Sequence, residues 1–143
     1  MAGLILDSSV YIDSFRNRDF SLLSDNQFAL KGKVFSVYVS CVVLAELYVG
    51  ADKVGQKAFL EFENNAFKTN RLLTPNKRDW GLAGRILNSI GKKHGFEIVG
   101  RSRLMNDCLI ALTTRGLGFT LATKNAADFR IISQFHQFNF EEI

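Results

Sequence analysis

The chain has 143 residues, enough to bury the core of one domain and too few to call for a second. With 47% hydrophobic and 22% charged residues the composition excludes a disordered segment, and two cysteines exclude a disulfide scaffold. The formal charge of +4 would suit a polyanionic partner without demanding one.

A first short strand, Leu4-Ile5-Leu6, is expected to stop at Asp7, with Ser8 or Ser9 capping a helix that runs through Val10-Tyr11-Ile12 toward Phe15. Phe20 to Leu30 reads as a second, weaker helix. Val34 to Val39 has the β-branched and aromatic content of a strand, and Ser40 is placed to cap a helix over Val42 to Ala51. Gln56 to Thr69 sets Phe59, Phe62, Ala66 and Phe67 at the spacing of an amphipathic helix. After a short strand at Arg71-Leu72-Leu73, the pattern repeats from Arg78 to His94 with Trp80, Ala83, Ile86, Leu87 and Ile90 inward, and Gly95 suits its end. A further helix is expected over Leu104 to Arg115, ending at Gly116. A strand over Phe119 to Thr123 and an edge strand at Phe138-Asn139-Phe140 complete the chain. Strands alternating with helices point to an α/β fold around a parallel sheet covered on both faces, with its site at the carboxyl ends of the strands.

The longest uncharged run, Val34 to Ala45, is too short to cross a bilayer, which takes roughly 18 or more apolar residues, so no membrane association is expected. The first strand is expected almost at Met1, so no secretory leader is expected. Cys41 and Cys108 lie in apolar segments without metal-ligand spacing, as buried, reduced thiols of a cytoplasmic protein would.

Three carboxylates stand alone in apolar segments. Asp7 is the single charge in residues 1 to 12, Glu46 the single one from Val34 to Ala51, and Asp107 the single one from Leu104 to Thr114. An ionised carboxylate buried without a partner costs several kcal/mol or shifts its pKa upward. A shared hard cation, Mg²⁺ or Mn²⁺, would neutralise all three at once. Taken singly, Asp7 has an equally good reading as a helix cap, Glu46 as a side chain reaching solvent, and Asp107 as a first-turn acid favoured by the helix dipole. Together these need three explanations where one metal site needs one. Asp128, in "TKNAADF", lies near Lys124 and Arg130 and would also serve as a surface ion pair or a cap. Thr123 and Asn125 would orient a ligand or water, or merely make a turn. Asp13 reads as a solvated partner of Arg16.

These residues resemble the PIN-domain family, particularly toxins of the VapBC type. The resemblance runs through "LILDSSVYID", "VVLAELYVGA" and "NDCLIALTTRGLGFTLATKNAADF", whose order and spacing are more specific than any one alone. It implies a three-layer α/β/α sandwich with a central, mainly parallel sheet, and a divalent-metal-dependent ribonuclease acting from an acidic pocket. Asp7, Glu46 and Asp107 match the family's core acids and would be the metal ligands. The fourth catalytic position falls on Asn125 or Asp128, with Ser9, Thr123 and Asn125 in supporting places. The resemblance further implies RNA cleavage that leaves a 5′-phosphate and a 3′-hydroxyl, a cognate antitoxin that covers the pocket, and a homodimer.

For RNA, Arg16, Arg18 and Lys124 lie nearest the strand ends by sequence, while Arg78, Arg85 and Lys92 recur every seventh residue as a stripe that more simply reads as a solvated face. "GADKVGQKA" has the glycine spacing of a phosphate-binding loop, but Gln56 and Lys57 stand where that loop needs lysine and a hydroxyl. A phosphoaspartate enzyme built on Asp7 would want an acid at Ser9. His94 and His136 have no nucleophile motif to serve. The alternative from another class is a PIN-like scaffold that binds RNA or a partner without cutting it.

Overall fold

A computed structural model describes residues 1–100 and 102–143. The strands are β1 (Gly3–Leu6), β2 (Gln27–Leu30), β3 (Lys33–Ser40), β4 (Leu72–Leu73), β5 (Thr120–Thr123) and β6 (Asn139–Glu142). The helices are α1 (Ser8–Arg16), α2 (Cys41–Val49), α3 (Lys53–Lys68), α4 (Lys77–His94), α5 (Phe96–Val99), α6 (Ser102–Leu117) and α7 (Ala127–Ser133). They build the expected α/β architecture around a sheet of order β2-β3-β1-β5-β6, with β4 on the outer side of β3. Every pairing is parallel except the β2–β3 hairpin.

The crossing rule explains how the helices are divided. From β1 the chain moves through α1 to β3 and through α2 and α3 to β4, all in one direction across the sheet. It then returns past β1 through α4, α5 and α6 to β5, and through α7 to β6. Right-handed crossovers running in opposite directions place their helices on opposite faces. The packing agrees: α1 meets α2 and α2 meets α3, while α4, α5, α6 and α7 pack among themselves. The reversal of direction at β1 opens a crevice at the carboxyl ends of β1 and β5, where sheets of this kind hold ligands.

Hydrophobic periodicity located most elements, and the exceptions have local causes. Phe20 to Leu30 is not a helix; a 3-10 turn at Ser21–Leu23 is followed by β2, whose exposed and half-buried residues alternate against β3. Phe67 and Trp80, expected inside, are exposed at 74% and 55%. The inward face of α3 is carried by Phe59, Phe62 and Ala66, and that of α4 by Ala83, Ile86, Leu87 and Ile90. Helix α6 passes Gly116 and stops before Gly118, whose φ of +66° suits glycine better than any other residue. Neither Ser8 nor Ser9 caps α1, because both lie inside it and Asp7 holds the capping position. Ser40 does cap α2, its Oγ accepting the Val42 N–H at 3.2 Å. Asp52 caps α3 through the Gly55 N–H at 2.7 Å, which accounts for the glycine-spaced "GADKVGQ" without a phosphate. Both cysteines are free, Cys108 buried and Cys41 half-buried. Among the described residues no helix is long and apolar enough to cross a membrane.

Helix α7, which the periodicity did not reveal, is anchored by Phe129, fully buried against the rings of Phe138 and Phe140. Phe129→Ala is expected to lower stability by about 3–5 kcal/mol, read as a shift of the urea midpoint at unchanged slope.

Candidate active site

The site begins where β1 ends. Asp7 continues the pairing with β5, its N–H donating to the Ala122 carbonyl at 3.0 Å, and then turns into α1. Although it occupies the helix-capping position, its carboxylate makes no capping hydrogen bond. It accepts instead from three hydroxyls: Thr123 at 2.7 Å, Ser9 at 2.9 Å and Ser8 at 3.3 Å. Two of these donors are themselves held from the opposite loop. The Lys124 N–H donates to Ser9 Oγ and the Asn125 N–H to Thr123 Oγ1, both at 3.0 Å. A carboxylate used as a cap would spend its oxygens on N–H groups of α1. Asp7, only 5% exposed, is held by these hydroxyls, which do not exhaust the acceptor capacity of its two oxygens.

Asp107 sits on the second turn of α6 and is 8% exposed. That position removes its reading as a first-turn acid. Its pKa is raised to about 8, first by burial, then by the negative charges of Asp7, Glu46 and Asp128, with the Arg103 cation opposing. The pKa of Glu46, on α2, is also raised, by burial and then by Asp7, with Arg103 and the polar side chains of Asn106 and Ser8 opposing. Its Oε1 is buried without a hydrogen-bond partner, so the side chain does not simply reach solvent. Segments far apart in the chain therefore bring Asp7, Glu46, Asp107 and Asp128 within electrostatic reach of one another.

The other sequence candidates divide. Asp128 does not join Lys124 or Arg130; Arg130 pairs with Glu142 at 2.7 Å and Lys124 with Asp13 at 3.4 Å. The second of these also replaces the expected Asp13–Arg16 pair. Asn125 is exposed and meets the site through its backbone N–H. Arg16 and Lys124 line a hollow beside the acids, together with Arg103, which the reading of isolated carboxylates missed. The signal was present: Arg103 lies four residues before Asp107, one turn away on the same helical face. Arg18 lines a different, apolar groove with Arg16 and Glu46. Arg78, Arg85 and Lys92 are exposed on α4 and border none of these spaces. His94 is engaged with Gln134 at 3.1 Å.

Hard oxygen donors, mutual repulsion and an orphaned glutamate oxygen are what a divalent cation would satisfy, so the residues present fit one. Their spacing is looser than their chemistry: among the described residues, no three His, Cys, Asp or Glu side chains stand at metal-ligand spacing.

Comparison with known proteins identifies the family and the fold. The PIN domain family model matches residues 4–133. The chain belongs to the PIN domain family. It is 30% identical to Ribonuclease VapC1 of Rickettsia felis over 137 residues, covering 91% of this chain and 90% of that protein. Among solved structures it is similar in fold to VapBC-1 from nontypeable Haemophilus influenzae, with a TM-score of 0.63 at 22% identity over 98% of this chain and 97% of that one. VapBC2 from Rickettsia felis bound to a DNA fragment from its promoter gives a TM-score of 0.59 at 19% identity over 99% and 98%.

The raised Asp107 pKa has a sign that can be tested on metal-free protein. Between about pH 4 and about pH 8 the native state keeps a proton that the unfolded state has lost, so this carboxyl makes stability fall as pH rises through that window. Asp107→Asn is expected to flatten the fall and to raise the melting temperature at pH 8, measured by calorimetry in chelator.

Proposed function

We propose that this chain is a divalent-metal-dependent endoribonuclease, the toxin of a VapBC-type pair. The observation that carries the reading is that Asp7, Glu46 and Asp107, from three distant segments, lie within electrostatic reach of one another, with Glu46 Oε1 buried and without a hydrogen-bond partner. The relative named as a ribonuclease supports the choice of RNA, and the PIN family assignment supports the acids as its centre.

Asp7, Glu46 and Asp107 would hold Mg²⁺ or Mn²⁺, with Asp128 at the margin. When bound, the ion supplies Lewis-acid chemistry, making the attacking water more acidic and offsetting charge on the phosphate. The chain's own part is orientation. Thr123, Ser9 and Ser8 hold Asp7 against rotation, Asn125 holds Thr123 through its N–H, and the Arg103 cation favours the ionised forms of Glu46 and Asp107. No side chain need act as nucleophile, and hydrolysis at the far bond of the phosphate would leave a 5′-phosphate and a 3′-hydroxyl.

The partner surfaces follow from the two hollows beside α2. One, about 670 Å³, is lined by Phe15, Phe20, Leu47, Val54 and Phe59, reaches Glu46 and carries Arg16 and Arg18 at its rim. It suits an antitoxin segment with apolar anchors and a carboxylate or two for the arginines. The similarity to VapBC structures supports such a partner. The other, about 350 Å³, lies between Val42, Val49, Pro75 and Trp80. With Val49 90% exposed and Trp80 unpacked, it suits a second copy of the chain. Trp80→Glu is expected to convert a dimer into a monomer by light scattering, with the fold retained.

Asp7→Asn is expected to abolish Mg²⁺-dependent RNA cleavage while the circular dichroism spectrum is kept; full activity in this variant would refute the assignment. The spacing of the acids also suits a second reading, a scaffold that binds without cutting. Metal separates the two. At 100 times its Kd, Mn²⁺ should raise the melting temperature by roughly 5–10 °C and do so only with Asp7 intact. No shift at millimolar metal would favour the scaffold.

A further inference from the structure

The hollow beside the acids is not apolar like its neighbours. It measures about 290 Å³ and is lined by Ser9, Ile12, Asp13, Arg16, Arg103 and Lys124. Three cations from three separate elements, α1, the start of α6 and the loop after β5, meet there against one carboxylate. Of these, Lys124 alone has an ion pair among the described residues, to Asp13 at 3.4 Å with both side chains about half exposed. Such a pair is worth little and exchanges readily for another anion. Arg16 and Arg103 offer their guanidinium forks without a carboxylate partner among the described residues, a geometry that matches phosphate.

The hollow shares a wall with the acidic centre. Ser9 lines it and donates to Asp7, and Lys124, also in its wall, gives its backbone N–H to Ser9. Arg103 lines the hollow and lies within electrostatic reach of both Glu46 and Asp107. A polyanion drawn toward carboxylates alone would be repelled, and a cationic seat next to them offsets that repulsion.

We propose that this hollow seats the phosphate adjacent to the scissile one on a single RNA strand, with Arg16 and Arg103 binding it and Lys124 leaving Asp13 to join them. The inference rests on the ribonuclease reading and adds which residues set the strand's path. Asp13 acts as the placeholder anion that the RNA displaces.

The test uses Asp7→Asn protein, which keeps RNA uncut, and a fluorescent single-stranded RNA titrated at several salt concentrations. Adding Arg16→Gln and Arg103→Gln should weaken binding at least tenfold and lower the salt slope by about 0.7 for each lost contact. Arg78→Gln with Arg85→Gln removes the same charge from α4 and should change neither. In otherwise native protein the hollow pair should raise KM more than it lowers kcat. An unchanged slope in the hollow pair, or an equal loss in the α4 pair, overturns the seat. If the native chain still cuts RNA with Mg²⁺, the enzymatic reading survives that failure; if it neither binds nor cuts RNA, both fall. Unaltered RNA affinity with weakened binding of an acidic peptide would assign the hollow to a protein partner instead.

Discussion

Repulsion among Asp7, Glu46, Asp107 and Asp128 is the constraint around which the rest of the molecule is organised. Four carboxyl groups from four segments come within electrostatic reach of one another, burial and then like charge push Glu46 and Asp107 against ionisation, and Arg103 opposes the shift at both. A fold that only needed stability would have separated these groups or replaced them with apolar side chains. Keeping them together is sustainable because the surrounding sheet and helices are packed apolar structure, with Leu4, Ile5, Leu6, Leu121 and Ala122 essentially inaccessible on the two strands that deliver the site.

Rigidity at the site comes from the strands and from hydroxyls. The parallel register of β1 and β5 sets Leu6 opposite Ala122, so Asp7, leaving β1, stands beside Thr123, the last residue of β5. Thr123 then bonds Asp7 directly, and the loop beyond it returns two backbone N–H groups to the donors around Asp7. Glu46 and Asp107 arrive from helices on opposite faces of the sheet, α2 and α6, which touch each other at this end. The acidic centre is thus a seam between the two helical layers, and movement of α2 against α6 would alter the spacing of its carboxylates.

Three spaces of different character border that seam. The groove along α1, α2 and α3 is apolar with arginines at its rim, the space toward α4 is apolar with an exposed tryptophan, and the small hollow toward Lys124 is cationic. Arg16 belongs to both the first and the third. A partner filling the apolar groove would therefore engage an arginine that the proposed RNA path also uses, and inhibition by such a partner needs no distant coupling.

Much of this was legible in the chain itself. Alternating strands and amphipathic helices gave the α/β class, because burial on a sheet or a helix imposes its period on the sequence. The isolation of Asp7, Glu46 and Asp107 in apolar runs marked them, since a lone charge in such a run is costly unless something meets it. What only the tertiary structure decided was set by contacts between residues far apart in sequence. Strand β2 forms because β3 offers it an edge, Phe67 and Trp80 stay outside because other residues already fill the inward faces of their helices, and Asp13 takes Lys124 rather than Arg16. That the Asp7 carboxylate takes hydroxyls in place of the N–H groups of a helix cap likewise depended on Thr123, more than a hundred residues away, because hydrogen bonds follow the donors that surround a side chain in space.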